Sequence, residues 1–365
     1  MASKRNKKVT KTKEGHNLER TRELFHVNPV VPFQRDAVPA PHIHVFDYAQ
    51  DHFSELEHPE IGECFNYKDN GHFTWINVGG IRKEEVEKIC SHFNIHYLIV
   101  EDILSVDQRP KMDEMDNVLF CLLNMLYFNH ETGTVETEQI SILLGKDYVI
   151  CFQEDAERDP FDNLREKLRS PNSKLRQTGP DYLCYALLDT IVDHYYVVME
   201  QLGERIENLE EEIIRFSNTG SLPDINNLRK EMIVLKRNVV PVRDLVNGFI
   251  RSDSDLLEER TTKYFKDVHD HIIQATDLSE NYRDMMINLQ DLYLSNVNLK
   301  MNEVMKVMAI VTCLMAPATV IGGIFGMNFD RIPTLHNQYG FFLAVSLMIL
   351  VPGLMLFTFK KRGWF

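Results

Sequence analysis

Two long uncharged segments lie at the carboxyl end of the chain. No charged residue occurs among the 23 residues 307–329 or among the 21 residues 339–359. A helix needs about 20 apolar residues to cross the hydrocarbon core of a bilayer. The pattern therefore predicts two membrane-spanning helices, one at residues 307–328 and one at residues 339–359, with a loop at residues 329–338 between them.

A long helical segment precedes the first span. From Leu256 to Ala316 the chain contains neither glycine nor proline, so no helix-breaking residue separates the soluble part from the membrane. A helix continuous to Phe325 is about 100 Å long at roughly 1.5 Å per residue. Two further helical runs, Asp181–Phe216 and Ile225–Phe249, come before it, and a proline predicts a kink in the second. Because one chain cannot bury so long a helix, we expect copies of the chain to pack together.

The preceding part of the chain has a mixed pattern of strands and helices. Five strands are predicted, at His42–Tyr48, Phe73–Val78, Val118–Phe128, Gln139–Leu144 and Tyr148–Phe152. Helices are predicted at Lys83–Phe93 and Tyr97–Leu104. We therefore expect a cytosolic α/β domain at residues 40–179, after a basic tail at residues 1–39 and before a helical stalk region at residues 180–306.

One face of the long helix is polar or small along its length, and we call it the polar stripe. Steps of four and three residues give Asp291, Ser295, Asn298, Asn302, Met305, Ala309, Thr312, Ala316, Thr319 and Gly323. The average step is about 3.5 residues, the period of a left-handed supercoil. Polar groups at membrane depth face a bundle interior or a water-filled path, so the stripe predicts a pore lining. The alternative is close helix packing, for which Gly322 and Gly326 form a small-xxx-small pair.

A proline lies within the first span. Pro317 has no N–H and therefore leaves the carbonyl of Cys313 without its usual donor. In a membrane this carbonyl must find a donor nearby. A nearby side chain such as Thr312 and pore water are the two candidates, and a simple kink is the other interpretation of the proline.

The end of the first span resembles the signature of a known family. Gly326-Met327-Asn328 is similar to the signature of the CorA-type magnesium transporters, and the match extends to Pro317-Ala318-Thr319, Tyr339-Gly340 and the basic tail at residues 360–365. The resemblance implies an α+β cytosolic domain followed by a long α-helical stalk and two transmembrane helices, assembled as a funnel-shaped homopentamer. In that assembly, the long helix of each subunit lines one axial pore.

The resemblance also implies that Gly326, Met327 and Asn328 form a selectivity filter. Mg²⁺ sheds its water reluctantly, so a ring of Asn328 side-chain oxygens suits it by accepting hydrogen bonds from its bound waters. A neutral ring also lets the ion leave again, as conduction requires. A helix C-cap is a second role for the Gly-Asn pattern, and both roles can hold together. The loop departs from many family members, because Thr334 rather than an acid follows Pro333.

Cytosolic regulation is implied by matches in the soluble part. Asp102 and Asp267 correspond to positions where the family places a regulatory Mg²⁺ site between subunits, and Glu101 and Asp189 are further contributors to a second site. The alternative is that all four are ordinary surface acids. Asp267 and His271 share a helix face, a spacing that also suits a nitrogen-preferring metal, and His42 with His44 gives a weaker pattern of that kind.

Charge and cysteine content restrict the class of protein. Residues 1–13 carry six net positive charges and residues 307–365 carry three, so the −14 of the whole chain leaves −23 for residues 14–306. Such an acidic body repels nucleic acid and attracts cations. The six cysteines contain no C-x-x-C pair, which is typical of a reducing compartment. Basic residues flank the spans and are scarce in the loop, so both termini are predicted to face the cytoplasm from the plasma (inner) membrane.

We therefore expect a multi-pass channel for Mg²⁺ uptake. The expected transport is passive, driven by the membrane potential and gated by cytosolic Mg²⁺, with Co²⁺ and Ni²⁺ as further ions by family resemblance. The sequence shows no phosphate-binding loop or hydrolase motif, so it predicts neither an enzyme nor an organic cofactor. The expected partners are other copies of the chain, divalent cations and the lipid bilayer. Two alternatives are a zinc transporter of the same architecture and a membrane-tethered cytosolic metal sensor.

Overall fold

The computed structural model describes residues 41–106, 108–216, 221–327 and 339–363. Within these limits the chain forms two compact units. Among the described residues, the first unit comprises residues 41–106, 108–211 and 221–289, and the second comprises residues 212–216, 290–327 and 339–363. The basic tail at residues 1–39 and the predicted loop at residues 329–338 lie outside the described residues, so they remain sequence-based expectations.

The first unit contains one mixed β-sheet. Among the described residues it has seven strands: β1 His42–Ala49, β2 His52–Glu57, β3 Phe73–Gly79, β4 Lys111–Met115, β5 Val118–Asn129, β6 Thr134–Leu144 and β7 Tyr148–Gln153. Their order is β2-β1-β3-β7-β6-β5-β4. The β3–β7 pair is parallel, with Ile76 opposite Ile150, and all other neighbours are antiparallel. All five predicted strands are present, and β6 begins five residues before its predicted start.

Helices cover both faces of the sheet. The short helices are α1 Ile61–Cys64, α2 Lys83–His92, α3 Tyr97–Leu104 and α4 Asp162–Arg169. On one face, Ile89 of α2 and Ile99 of α3 pack in a buried cluster with Ile76 of β3. On the other face, Trp75 contacts Phe161 beside α4, with ring centroids 6.2 Å apart. The sheet is therefore the buried layer between two helical layers.

Four long helices follow the α/β part. They are α5 Pro180–Phe216, α6 Ser221–Arg251, α7 Glu259–Phe325 and α8 Gly340–Lys361. The second and third continue through Pro241 and Pro317 respectively. In the first unit, α5 is held to the sheet by the Tyr195 hydroxyl, which donates to the carbonyl of Asn124 at 2.8 Å. All four long helices are predicted from the sequence. The helix α7 starts three residues later than expected and reaches Phe325.

Two of these helices contain stretches that are long and apolar enough to cross a membrane. One is the carboxyl-terminal part of α7, with a mean hydropathy of 2.1, and the other is α8, with a mean hydropathy of 2.4. Only 6% and 11% of these stretches are buried within the chain. A core helix of a soluble protein would be mostly buried, so these exposed apolar surfaces are suited to lipid or to other subunits.

Candidate functional site

The polar stripe of α7 lies on an exposed side of the helix. All ten stripe residues from Asp291 to Gly323 are exposed in the single chain. The better-covered positions in the membrane part are Ile310, Leu314, Pro317, Ala318, Ile321 and Phe325. At 100° per residue these lie on roughly the opposite side of the helix from the stripe. A β-carbon at the neighbouring Gly322 would meet Met348 of α8 at 3.6 Å. Within this unit the stripe is therefore left uncovered.

Two threonine hydroxyls of the stripe bind the backbone of their own helix. Thr312 Oγ1 donates to the carbonyl of Met308 at 2.9 Å, and Thr319 Oγ1 donates to the carbonyl of Met315 at 3.0 Å. Thr312 is therefore not the donor to the Cys313 carbonyl that Pro317 leaves free, and the prediction that Thr312 fills this role is wrong. The threonine oxygens keep lone pairs that can accept hydrogen bonds from water on the exposed side.

The helix ends by tightening at Gly326 and Met327, the first two residues of the predicted filter. The N–H of Gly326 donates to the carbonyl of Gly322 at 2.9 Å, and the N–H of Met327 donates to the carbonyl of Ile324 at 3.3 Å. Gly326 directly follows Phe325, the last residue of α7, and its φ does not lie in the left-handed region. A β-carbon there would lie 3.0 Å from the Gly322 carbonyl oxygen, a close approach that favours glycine. Asn328 lies outside the described residues.

A cluster of possible metal ligands forms between α5 and α7 in the first unit. One ligand atom from each of Asp189, Asp193 and His271 lies within 4.8 Å of the others. Asp189 and Asp193 are one turn apart on α5, so their side chains share a face. The two acids also line a cavity of about 650 Å³ together with Tyr182 and Tyr185. This volume leaves room for a hydrated cation beside the carboxylates.

The electrostatics of this ligand cluster favour a bound cation. Burial raises the pKa of Asp189, the negative charge of Asp193 raises it further, and Asp267 adds a smaller increase in the same direction. The Tyr185 hydroxyl donates to Asp189 Oδ2 at 3.3 Å. His271 Nδ1 is buried without a hydrogen-bond partner among the described residues. Two repelling carboxylates and an unpaired imidazole nitrogen therefore fit a divalent cation.

Asp102 has a different partner. It lies near the end of α3, and its Oδ2 accepts a hydrogen bond from Lys111 Nζ at 2.6 Å. Lys111 also lies 3.2 Å from Asp113. Although burial lowers the pKa of Lys111, its hydrogen bonds and attraction to Asp102 and Asp113 raise the value overall. Any cation that binds Asp102 must therefore compete with Lys111 within the same chain.

The structure groups only some of the expected regulatory residues. Asp189 is close enough to sense the charges of Asp267 and His271, whereas Asp102 belongs to the Lys111 ion pair. Glu101 and Asp267 are exposed, as a site shared between subunits requires. Asp193 was missed from the sequence, although its spacing of four residues from Asp189 on a helix was a usable signal.

Comparison with known proteins gives consistent matches over most of the chain. A family model described as "CorA-like Mg2+ transporter protein" matches residues 70–361. The "Cobalt/magnesium transport protein CorA" of Thermotoga maritima is 36% identical over 323 residues, covering 88% of this chain and 92% of that protein. The "Putative metal ion transporter YfjQ" of Bacillus subtilis is 31% identical over 291 residues, covering 80% of this chain and 89% of that protein.

A solved structure supports the fold over a similar extent. The complete structure of the CorA magnesium transporter from Methanocaldococcus jannaschii has a TM-score of 0.74 and covers 91% of this chain and 100% of that one. The two are 21% identical, so this likeness concerns the fold alone.

Proposed function

The chain belongs to the family of CorA-like Mg²⁺ transporter proteins, and from that premise we propose that it is a passive Mg²⁺ uptake channel that also carries Co²⁺ and Ni²⁺. The Thermotoga maritima relative is named for cobalt and magnesium transport, which supports the first two ions. We further propose that the channel is a homopentamer in the plasma (inner) membrane, with both termini in the cytoplasm, and that it has no catalytic activity.

The polar stripe carries this proposal. A helix that only anchors a domain in lipid has no use for a continuous row of polar or small residues, such as Thr312 and Thr319, on its exposed face, because polar groups at membrane depth usually face a bundle interior or a water-filled path. The opposite face, with Ile310 and Ile321, is the better-covered one within the chain. Symmetric copies packed with their stripes inward would surround an axial path lined by amide, hydroxyl and backbone oxygens. This arrangement argues against a membrane-tethered sensor.

We propose that selection occurs at the outer end of this path. Gly326 ends α7 where a side chain would crowd the Gly322 carbonyl, so the next residues can turn towards the axis. Asn328 would then present a ring of neutral oxygens to the water shell of Mg²⁺. A neutral ring binds the hydrated ion weakly enough to release it, and the membrane potential then drives it inward.

We propose that cytosolic Mg²⁺ closes the channel through carboxylates at subunit boundaries. Asp102 and Asp267 would bind it between neighbours, and Asp189 with Glu101 would contribute a second site. The ligand cluster at Asp189 supports this, because a bound cation would relieve the repulsion between its carboxylates. A cation that binds the closed arrangement better shifts the equilibrium towards it. Uptake would therefore stop when the cytosolic concentration is sufficient.

The proposal is tested by ion flux into proteoliposomes that contain the full-length protein. We expect Mg²⁺ influx to follow an imposed inside-negative potential and to need no ATP, and we expect Co²⁺ and Ni²⁺ to compete. Thr319→Leu should block influx because each copy adds an apolar group to the path, whereas Val320→Leu, one position off the stripe, should conduct. If Val320→Leu blocks influx and Thr319→Leu does not, the pore face is misassigned. Transport of Zn²⁺ in place of Mg²⁺ would support the zinc alternative.

A further inference from the structure

A second group of metal-binding side chains lies at the edge of the sheet. It consists of Asp47 on β1, His52 on β2 and His72 just before β3, and we call it the edge cluster. Asp47 Oδ2 lies 3.0 Å from His52 Nε2 and 3.0 Å from His72 Nδ1. The Asp47 side chain is 3% exposed, whereas those of His52 and His72 are 43% and 35% exposed. The buried carboxylate is therefore separated from solvent by two partly exposed imidazoles.

Neighbouring groups hold this carboxylate in one orientation. The Asn70 side-chain amide donates to Asp47 Oδ1 at 2.8 Å, and the Thr74 hydroxyl donates to the same atom at 3.1 Å. Both bonds use Oδ1, so Oδ2 is left for the imidazoles. Supporting hydrogen bonds of this kind orient metal ligands in established sites.

The turn before β3 is built to place His72. The N–H of His72 donates to Asn70 Oδ1 at 2.9 Å. Gly71, between them, has a φ of +85°, a conformation that L side chains rarely adopt. The turn brings His72 beside His52, and the two rings stack with centroids 4.1 Å apart at an angle of 19°.

We propose that the edge cluster binds a divalent first-row transition cation, Co²⁺ or Zn²⁺, through Asp47 Oδ2, His52 Nε2 and His72 Nδ1. Metal–nitrogen and metal–oxygen bonds of about 2.0–2.1 Å place neighbouring ligands about 2.9 Å apart at right angles and about 3.3 Å apart in a tetrahedron. The two 3.0 Å spacings from Asp47 Oδ2 fall between these values, and all three ligand atoms lie within 4.8 Å of one another. Water completes the coordination on the exposed side.

The donor set selects the kind of ion. Two imidazoles and one carboxylate suit Co²⁺, Ni²⁺ or Zn²⁺, whereas Mg²⁺ prefers oxygen ligands alone. Without a metal, the imidazole N–H groups donate to the carboxylate, and metal binding at His52 Nε2 and His72 Nδ1 requires the tautomers that carry the proton on the other ring nitrogen. The cation would tie β1, β2 and the turn before β3 together. This role is separate from the proposed transport path and does not depend on it.

The test counts cobalt bound by the full-length protein in detergent, with excess Mg²⁺ present to occupy oxygen-rich sites. We expect the double variant His52→Gln/His72→Gln to bind one Co²⁺ fewer per chain than the wild type and to lose part of the visible absorption of nitrogen-ligated cobalt. His130→Gln, an exposed histidine on a turn of the same unit, is the matched control and should bind as the wild type does. Equal cobalt in the wild type and the double variant would overturn the proposal.

A second measurement needs no variant and decides the matter if the double variant misfolds. Diethylpyrocarbonate modifies accessible imidazoles, and peptide mass spectrometry locates the modified residues. We expect Co²⁺ to slow modification of His52 and His72 in the wild type and to leave His130 unchanged. Modification of His52 and His72 at the same rate with and without Co²⁺ would overturn the proposal.

Discussion

The ligand cluster of Asp189, Asp193 and His271 predicts that removing one acid stabilises the protein in the absence of a cation and reduces the stabilisation that a cation provides. In Asp193→Asn, one of the two repelling charges is removed while the side chain keeps its shape. Like charges 4.8 Å apart, the upper bound of the observed spacing, repel by roughly 1 kcal/mol in water-like surroundings and roughly 3.5 kcal/mol at an effective dielectric constant of about 20. Because Asp193 is exposed and Asp189 is partly buried, we expect a relief of ~1–2 kcal/mol.

The assay is thermal unfolding of the full-length protein in detergent, with EDTA and with Mg²⁺. In EDTA, Asp193→Asn should raise Tm, by about 2–4 °C for each kcal/mol in a unit of this size. In Mg²⁺, the wild type should gain stability as the cation binds the folded state, and the variant should gain less because it has lost a ligand. Glu204→Gln, on an exposed acid of the same helix, is the matched control. A lower Tm in EDTA, or an undiminished gain from Mg²⁺, would refute the reasoning.

Three further predictions concern the filter, the gate and the fold. Asn328→Ala should abolish Mg²⁺ flux in a normally assembled protein, and normal flux would exclude the filter role. Asp267→Ala should weaken the inhibition of flux by internal Mg²⁺ without changing ion preference; an inhibition curve that superimposes on the wild-type curve would make Asp267 a mere surface charge. Burial raises the pKa of Glu138 from 4.5 to about 7, so the native state binds more protons between these values and the free energy of unfolding falls as pH rises through them. Glu138→Gln should remove this fall of about 3 kcal/mol, and an unchanged pH profile of stability would contradict the assignment.

The sequence predicts the central strands because their burial gives continuous apolar runs. β5, for example, is buried from Val118 to Leu126 and reads as apolar for most of that length. It does not predict β2, with the sequence His-Phe-Ser-Glu-Leu-Glu, or β4, with the sequence Lys-Met-Asp-Glu-Met. Both are edge strands, and charged side chains protect such edges from pairing with another chain. The polar pattern that prevents the prediction of these two strands is therefore a consequence of their position at the edges of the sheet.

The helical part is more predictable because its signals are local. The run without glycine or proline predicts most of α7, which continues beyond that run to Phe325, and the polar stripe is a periodicity within that one helix. Pro317 does not end the helix, because one missing backbone bond is tolerated when the rest of the ladder continues. The end at Gly326 is also encoded locally, since the residue that a β-carbon would crowd is only four positions earlier.

The ligand cluster could not be assembled from the sequence for the opposite reason. Asp189 and Asp193 are on α5 and His271 is on α7, so their proximity depends on how two helices pack in the first unit. The pairing of Asp102 with Lys111 depends likewise on a strand following α3 across a short loop. A resemblance can assign such acids a shared role, but only the fold shows which of them already have a cation beside them. Asp102 has Lys111 as its counter-ion, whereas Asp189 faces another carboxylate, so of these two acids Asp189 gains more from a bound metal ion.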